Sequence, residues 1–556
     1  MCGPRSLPRP RASPRCSSRA LGPSRPASGR NRSTSRLVSR SPIGGMGRRP
    51  ASGWAHAAER GNPRTRTVTS WVSDRMVVPC HAASSGPRQG QNDRASGALQ
   101  ASRRLRGGGP DMTTASVTRR RVILGSARAG LAAILAGGVA PLVLPRAALG
   151  GASRRGANGR LGVGIIGVGI HGRGHLKRAL KNPGMQVVGV CDVDTTRRDA
   201  ARATADEHYA KETPGYTGTR AFVDHRDLLA APGLDAVFIV TPDHWHAHQV
   251  IDAARARKHI YVEKPLSHTL RDARAMADAV RAHGVTCQVG SQQRTEFSRR
   301  FIQAVEFVRN GRLGTLVSVQ VGLPTSRVGP SAVACDLPEE PVEPGLDWDR
   351  WLGPAPARPY HSVLSPRGVH DHYPEWRLYR EYSGGMVTDW GAHNLDIAQW
   401  GLDRDDSGPV LVEPPRVQHG HYGASLVYDH GVEVSHAGAN GVMFTGEREW
   451  LFVARDRLVA SRDDVLKELG EDATVRLPRP ADHHADWLEA IETGRRPVCD
   501  VEVGARSAAC CHLMNLAYWH GRAMRWDPAA WRFVDDAEAD AWMDLPRRPG
   551  YERPVA

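Results

Sequence analysis

Leu161-Gly162-Val163-Gly164-Ile165-Ile166-Gly167-Val168-Gly169-Ile170-His171-Gly172 decides the fold. The first six residues form a short apolar run, with Val163, Ile165 and Ile166, that suits a strand buried in a parallel sheet. Gly167, Gly169 and Gly172 then fall at a strand-to-helix turn, with a helix predicted over about residues 173–180. There the first glycine permits the tight turn. The second lets the backbone approach a pyrophosphate, and the third lets helix and strand pack closely. The helix N-terminus adds free N–H groups and partial positive charge. A competing G-x-G-x-x-G frame at Gly162, Gly164 and Gly167 lies inside the strand, opens no helix and is set aside.

The flanks support this reading. A second strand, Gln186–Cys191, ends in Asp192, 20 residues past Gly172. An acidic residue there accepts hydrogen bonds from the adenosine ribose and repels a 2′-phosphate, which favours NAD. Arg197 and Arg198 nearby keep NADP as the alternative. Strands at Leu234–Val240, Ile260–Val262 and Val285–Val289 alternate with helices at Ala247–Arg257 and Leu270–His283. Such alternation predicts an α/β, doubly wound parallel sheet of the Rossmann type. Its ligands bind at the carboxyl ends of the strands. Thr241-Pro242-Asp243-His244-Trp245-His246 and Glu263-Lys264-Pro265 both fall there.

These motifs, together with Ser383-Gly384-Gly385-Met386-Val387-Thr388-Asp389-Trp390-Gly391-Ala392-His393-Asn394-Leu395-Asp396, resemble the glucose-fructose oxidoreductase / inositol dehydrogenase / MocA family over about residues 161–525. The resemblance implies a Rossmann domain (161–290) and a C-terminal α+β domain (291–525). The second domain would be built on an open, mostly antiparallel sheet that faces the cofactor on one side and mediates homo-oligomers, dimers or tetramers, on the other. The residues agree: Thr315–Leu323 and Gly431–Ala437 alternate, and Gly441–Thr445 and Trp450–Val453 are strand-like. Residues 526–556 read as a C-terminal tail.

The resemblance implies that Lys264, Asp389 and His393 are catalytic. An ammonium at Lys264 would stabilise the developing alkoxide of a secondary alcohol. His393, with an ordinary pKa near 6.5, would take the hydroxyl proton. Asp389 would orient the imidazole or hold a substrate hydroxyl. If this segment is one helix, Asp389 and His393 share a face, with Asp396 and Trp400 near it. The cofactor would touch Gly167, Gly169, Ile170, His171, Gly172, Asp192, Thr241, Pro242, His246 and Glu263. Arg294 matches a family arginine at the domain junction. Trp245 offers a flat face to a pyranose; Trp376, Arg377, Tyr382 and Asp396 are further substrate candidates. His244, His246 and His248, and His370 and His372, have spacings that can bind zinc or copper. No complete ligand set follows from them, and no metal is expected.

The expected activity is hydride transfer between a nicotinamide cofactor and a sugar, polyol or related cyclic alcohol. A glycoside-cleaving relative that oxidises its sugar transiently is one alternative. A non-catalytic nucleotide-binding sensor is another.

Charge points elsewhere only superficially. The 556 residues carry a net +17, and residues 1–111 alone hold 21 Arg against 4 acidic residues, also +17. This Arg-, Ser-, Pro- and Gly-rich stretch lacks Phe and Tyr and is expected to be disordered. It reads as upstream DNA translated ahead of a true start at Met112, with a natural basic tail as the alternative. Thr118-Arg119-Arg120-Arg121-Val122-Ile123, a Gly/Ala-rich apolar run and no acidic residue from 112 to 150 fit a Tat signal too short for a stable membrane span. Export to the periplasm follows, with a cytoplasmic protein as the alternative. Residues 151–556 hold 49 basic and 54 acidic residues, 49 − 54 = −5, so nothing favours nucleic acid. Because free NAD is scarce outside the cytoplasm, an exported enzyme should hold it tightly. The six Cys after residue 150 show no C-x-x-C, which excludes a zinc ribbon.

Overall fold

The computed structural model describes residues 159–417 and 420–555. The Arg-rich extension, the twin-arginine leader and most of the linker fall outside them.

The chain opens with β1 (Leu161–Ile166), every residue of which is buried. Then come α1 (Ile170–Lys181), β2 (Met185–Cys191), α2 (Thr195–Ala210), β3 (Arg220–Phe222), α3 (His225–Leu229) and β4 (Ala236–Ile239). They are followed by α4 (Asp243–Arg255), β5 (His259–Val262), α5 (Leu270–His283) and β6 (Cys287–Val289). The six strands form one sheet in the order β3-β2-β1-β4-β5-β6. All its ladders are parallel. The order reverses between β1 and β4, and a crevice opens at that switch point. Helix α5 shows how local sequence sets these elements. Thr269 caps its start by accepting from Asp272 N–H, and Gly284, left-handed at φ 61°, ends it.

The second half contributes α6 (Arg300–Arg309), β7 (Leu316–Gly322), α7 (Trp348–Leu352), α8 (Met386–Asp389) and α9 (Gly391–Gly401). Its remaining strands are β8 (Leu411–Glu413), β9 (Ser425–Val427), β10 (Glu433–Gly446), β11 (Trp450–Val453) and β12 (Leu458–Ala460). After α10 (His483–Thr493) and α11 (Val501–His520), β13 (Met524–Asp527) and β14 (Arg532–Phe533) complete an eight-stranded sheet; α12 (Ala537–Ala541) follows. The sheet is antiparallel throughout, as the alternation along 315–323 and 431–437 predicts. The runs at 431–437 and 441–445 are one long strand, β10, paired with β7 through register shifts.

Two sequence-based boundaries change. Residues 526–556 are not a tail: they add β14 and α12, and then return to the first domain. There Arg547 and Arg553 clamp the buried Asp272 at 2.6 and 2.7 Å. The 291–525 segment is not confined to the second domain either. Trp487 of α10 packs edge-on against Phe238 and Tyr261 of the parallel sheet. The core therefore runs continuously from α4 and α5 through α9 and α11 to the antiparallel sheet. Residues 324–385 form a loop-rich layer with its own small apolar cluster around Trp351, Tyr360 and Tyr382.

Candidate active site

One cleft of about 870 Å³ runs from the glycine turn to α9. At its first end, Gly167 takes φ +82°, and a Cβ there would meet Val240 O at 2.7 Å. A Cβ on Gly172 would lie 1.9 Å from Gly167 O, so this glycine seats α1 against the turn; it does not line the cleft. Gly169 does line it, and a Cβ there would project into open space. That cradle fits a pyrophosphate held by backbone N–H groups at the start of α1. Ile170 and His171 flank it.

Asp192 lies at the end of β2. Its Oδ2 accepts from Val168 N–H at 2.8 Å and its Oδ1 from Asp194 N–H at 2.9 Å. Burial pushes this carboxyl up, against the pull of Arg197. Arg197 itself donates to Ser365 Oγ, Pro366 O and Gly368 O, so it is not free for a 2′-phosphate.

Thr241, Pro242 and Trp245 line the next stretch. His246 does not. It is wholly buried, and its ring bridges the backbone oxygens of Thr241 and Pro265 at 2.9 Å each. It joins the two strand-end loops, so its effect on a cofactor is indirect. Glu263 is more heavily used than its sequence suggests. Its Oε1 meets His171 Nε2 at 3.1 Å, His175 Nε2 at 2.9 Å and Gln292 Nε2 at 2.8 Å. Burial opposes its ionisation, but the two imidazoles outweigh burial and hold it well below the usual carboxylate range.

At the far end, Lys264 Nζ donates to Asp389 Oδ1 at 2.7 Å and to Asp389 O at 3.0 Å. Asp389 resists burial because Lys264 and Arg377, whose Nε is 3.6 Å away, keep its carboxyl ionised far below the ordinary value. Asp389 and His393 are not on one helix: α8 ends at Asp389, and His393 sits in the first turn of α9. The Trp390 junction still turns both into the cleft. His393 departs from its ordinary pKa. Burial, Lys264 and Arg455 push it well below that value, which favours the neutral ring. Its Nδ1 is buried with no partner in the protein, and the residue itself lines the cleft.

Arg294 and Asp396 are corrections. Neither lines the cleft. Arg294 binds both Asp396 oxygens at 2.9 Å and Asp405 at 2.7 Å, and the pair is 1% and 0% exposed. Asp396 lies three residues past His393, nearly a full turn on, and the domain junction seals it. Trp376 and Arg377 do line the cleft, with the guanidinium 4.2 Å over the Trp376 ring. Trp245 lines it too, its Nε1 donating to Trp351 O at 3.1 Å. Tyr382 is buried behind it.

The suspected histidine pairs do not converge as ligands. His244 meets Trp351 O, and His248 meets Tyr551 O. The residues that do converge are His171, His175 and Glu263. Asp243, Arg455 and Tyr551 are among the cleft residues that escaped the sequence reading. Asp243, 2% exposed, accepts from Ser383 Oγ at 2.6 Å and is pushed by burial up to about 7. It stood inside the Thr241–His246 motif, unremarked. Arg455 and Tyr551 had no signal, since only folding brings them to the cleft.

A glycine-cradled crevice, an acidic residue just past β2 and a Lys–Asp–His cluster at its far end form a site of the Rossmann nucleotide-binding class. Residues 161–291 match the family model for the oxidoreductase family, NAD-binding Rossmann fold. Residues 306–553 match its companion, the oxidoreductase family C-terminal alpha/beta domain. The chain belongs to the Gfo/Idh/MocA oxidoreductase family. It is 34% identical over 258 residues to the uncharacterized oxidoreductase YrbE of Bacillus subtilis, covering 46% of this chain and 58% of that relative. It is 33% identical over 300 residues to the scyllo-inositol 2-dehydrogenase (NAD(+)) of the same organism, covering 53% and 70%. A glycosyl hydrolase family 109 protein of Shewanella woodyi is 28% identical over 144 residues, covering 26% and 30%. The chain thus spans little more than half the length of the first of these relatives.

Proposed function

We propose that this protein is an NAD-dependent dehydrogenase acting on a secondary alcohol of a sugar or cyclic polyol. The observation that carries the reading is the 2.7 Å Lys264–Asp389 pair with His393 in the same cleft as the glycine cradle. A nicotinamide bound in the cleft would supply the hydride acceptor for the carbinol carbon. Gly169 and the N-terminus of α1 would hold the pyrophosphate, and Asp192 would accept from the ribose hydroxyls. Lys264 keeps one ammonium proton for the substrate oxygen and stabilises its developing negative charge. His393 enters neutral and accepts the hydroxyl proton on the ring nitrogen that faces the cleft. Asp389, held ionised, fixes the ammonium and offers its second oxygen to a neighbouring hydroxyl. The test is to purify the protein from Met112 onward, identify any bound nucleotide and screen sugars and polyols for keto products. Nucleotide reduction that survives Lys264→Ala would refute the assignment.

Three expectations go with this reading. Export by the Tat route rests on the Thr118–Ile123 pattern and the acid-free, Gly/Ala-rich run that follows it. Tight NAD retention is supported by Ser365 and Pro366 of the 324–385 layer, which line the cleft and hold Arg197 beside Asp192. A homo-oligomer is the expected assembly. Among the described residues no helix is long and apolar enough to cross a membrane.

A second reading, glycoside cleavage through transient oxidation, is favoured by the family 109 relatives. Their similarity spans only about a quarter of this chain. Aglycone release without net NADH would select that reading.

A further inference from the structure

Arg455 follows β11, and its side chain lines the substrate end of the cleft. Its guanidinium lies between two aromatic rings, 4.5 Å from the Trp390 centroid and 4.6 Å from that of Phe297. Its Nε donates to Gln293 Oε1 at 3.3 Å. Among the described residues it makes no ion pair. Arg294 is saturated by two carboxylates, and Arg377 leans on Asp389. Packed on these two rings, Arg455 presents its terminal N–H groups in the plane of the guanidinium.

The surrounding charge is unbalanced. Lys264, Arg377 and Arg455 face two carboxylates held ionised, Asp389 and Glu263. Glu263 is engaged by His171, His175 and Gln292. Glu296 and Glu375 pair with Arg178 and Arg327. Asp243 keeps its proton below about 7. Burial pushes the Arg455 guanidinium down despite the pull of Asp389 and Glu296, as expected of a cation the protein leaves unmatched.

We propose that this cleft selects a substrate bearing a carboxylate, a sugar acid such as a hexuronate or a carboxylated cyclic polyol, bound edge-on by Arg455 between Trp390 and Phe297. A planar carboxylate matches the two parallel N–H groups of one guanidinium edge. A phosphate monoester would bring a second charge up against the ionised Asp389. The proposal rests on the dehydrogenase reading for its role in catalysis and adds the substrate class.

The test uses NAD-loaded protein. D-Glucuronate, D-galacturonate, D-glucose, D-galactose and glucose 6-phosphate are titrated calorimetrically, and NADH formation is followed with each. At least one uronate should bind about tenfold or more tightly than its neutral counterpart. Arg455→Gln should erase that preference, and Arg455→Lys should keep part of it. No uronate binding, equal binding of neutral sugars, a preference unchanged in Arg455→Gln, or glucose 6-phosphate outranking both uronates would each overturn the proposal. Oxidation of neutral sugars without any uronate preference sinks the carboxylate subsite and leaves the dehydrogenase standing. Uronate binding through Arg455 with no nucleotide reduction does the reverse.

Discussion

Two ion pairs of nearly equal geometry flank α9. Lys264 and Asp389 meet at 2.7 Å and are 15% and 13% exposed; Arg294 and Asp396 meet at 2.9 Å and are 1% and 0% exposed. The second pair is saturated. Asp396 receives two bonds from Arg294 and one from Ser507, and Arg294 spends its other donors on Asp405 and Val498 O. The first pair is left incomplete, with one ammonium N–H and the second Asp389 oxygen facing the cleft. A buried ion pair costs so much desolvation that it persists only when fully hydrogen-bonded. A pair with spare donors therefore needs an outlet, and the cleft supplies it. Completeness of bonding, more than charge or distance, separates the structural pair from the reactive one.

The comparison can be broken at either pair. Lys264→Ala should lower turnover by roughly 10²–10⁴-fold, read by NADH formation, while bound nucleotide is retained. Arg294→Ala should leave an uncompensated buried carboxylate and cost about 3–5 kcal/mol in urea denaturation. It touches no cleft atom.

Two glycines sharpen the same distinction. Gly172→Ala forces a Cβ onto Gly167 O and should destabilise the fold. Gly169→Ala meets nothing in the protein, so stability should stay within about 0.5 kcal/mol while nucleotide affinity falls. Equal losses of stability in both would contradict the cradle.

A further effect concerns pH. Folded Asp243 holds its proton up to about 7, against 3.8 for the ordinary group. Between those values the folded state binds more protons than the unfolded chain, so stability falls as pH rises from about 4 toward 7. Asp243→Asn should flatten that slope by one proton's worth, measured as urea midpoints across the range.

Much of the fold was legible. Strand Leu161–Ile166, helix Leu270–His283 and strand Trp450–Val453 were read at their observed limits, because apolar period and capping residues agree there. The glycine turn, Asp192, Lys264, Asp389 and His393 were legible as motifs at strand and helix ends. Arg294, Asp396 and His246 misled because a polar residue inside a motif reads the same whether it faces a cleft or a sealed junction. Arg455 and Tyr551 were invisible for the opposite reason. They belong to no motif, and contacts far apart in sequence bring them in.

The sequence by itself determined the class: a parallel Rossmann sheet, a glycine cradle and a Lys, an Asp and a His at element ends. Those depend on local conformation, periodicity and spacing, which neighbouring residues fix. Only the tertiary structure decided which charged groups face the cleft, which are neutralised and which stand unmatched. Desolvation and hydrogen-bond saturation depend on every group packed around a side chain, and for Lys264, Arg294 and Arg455 those groups come from distant parts of the chain.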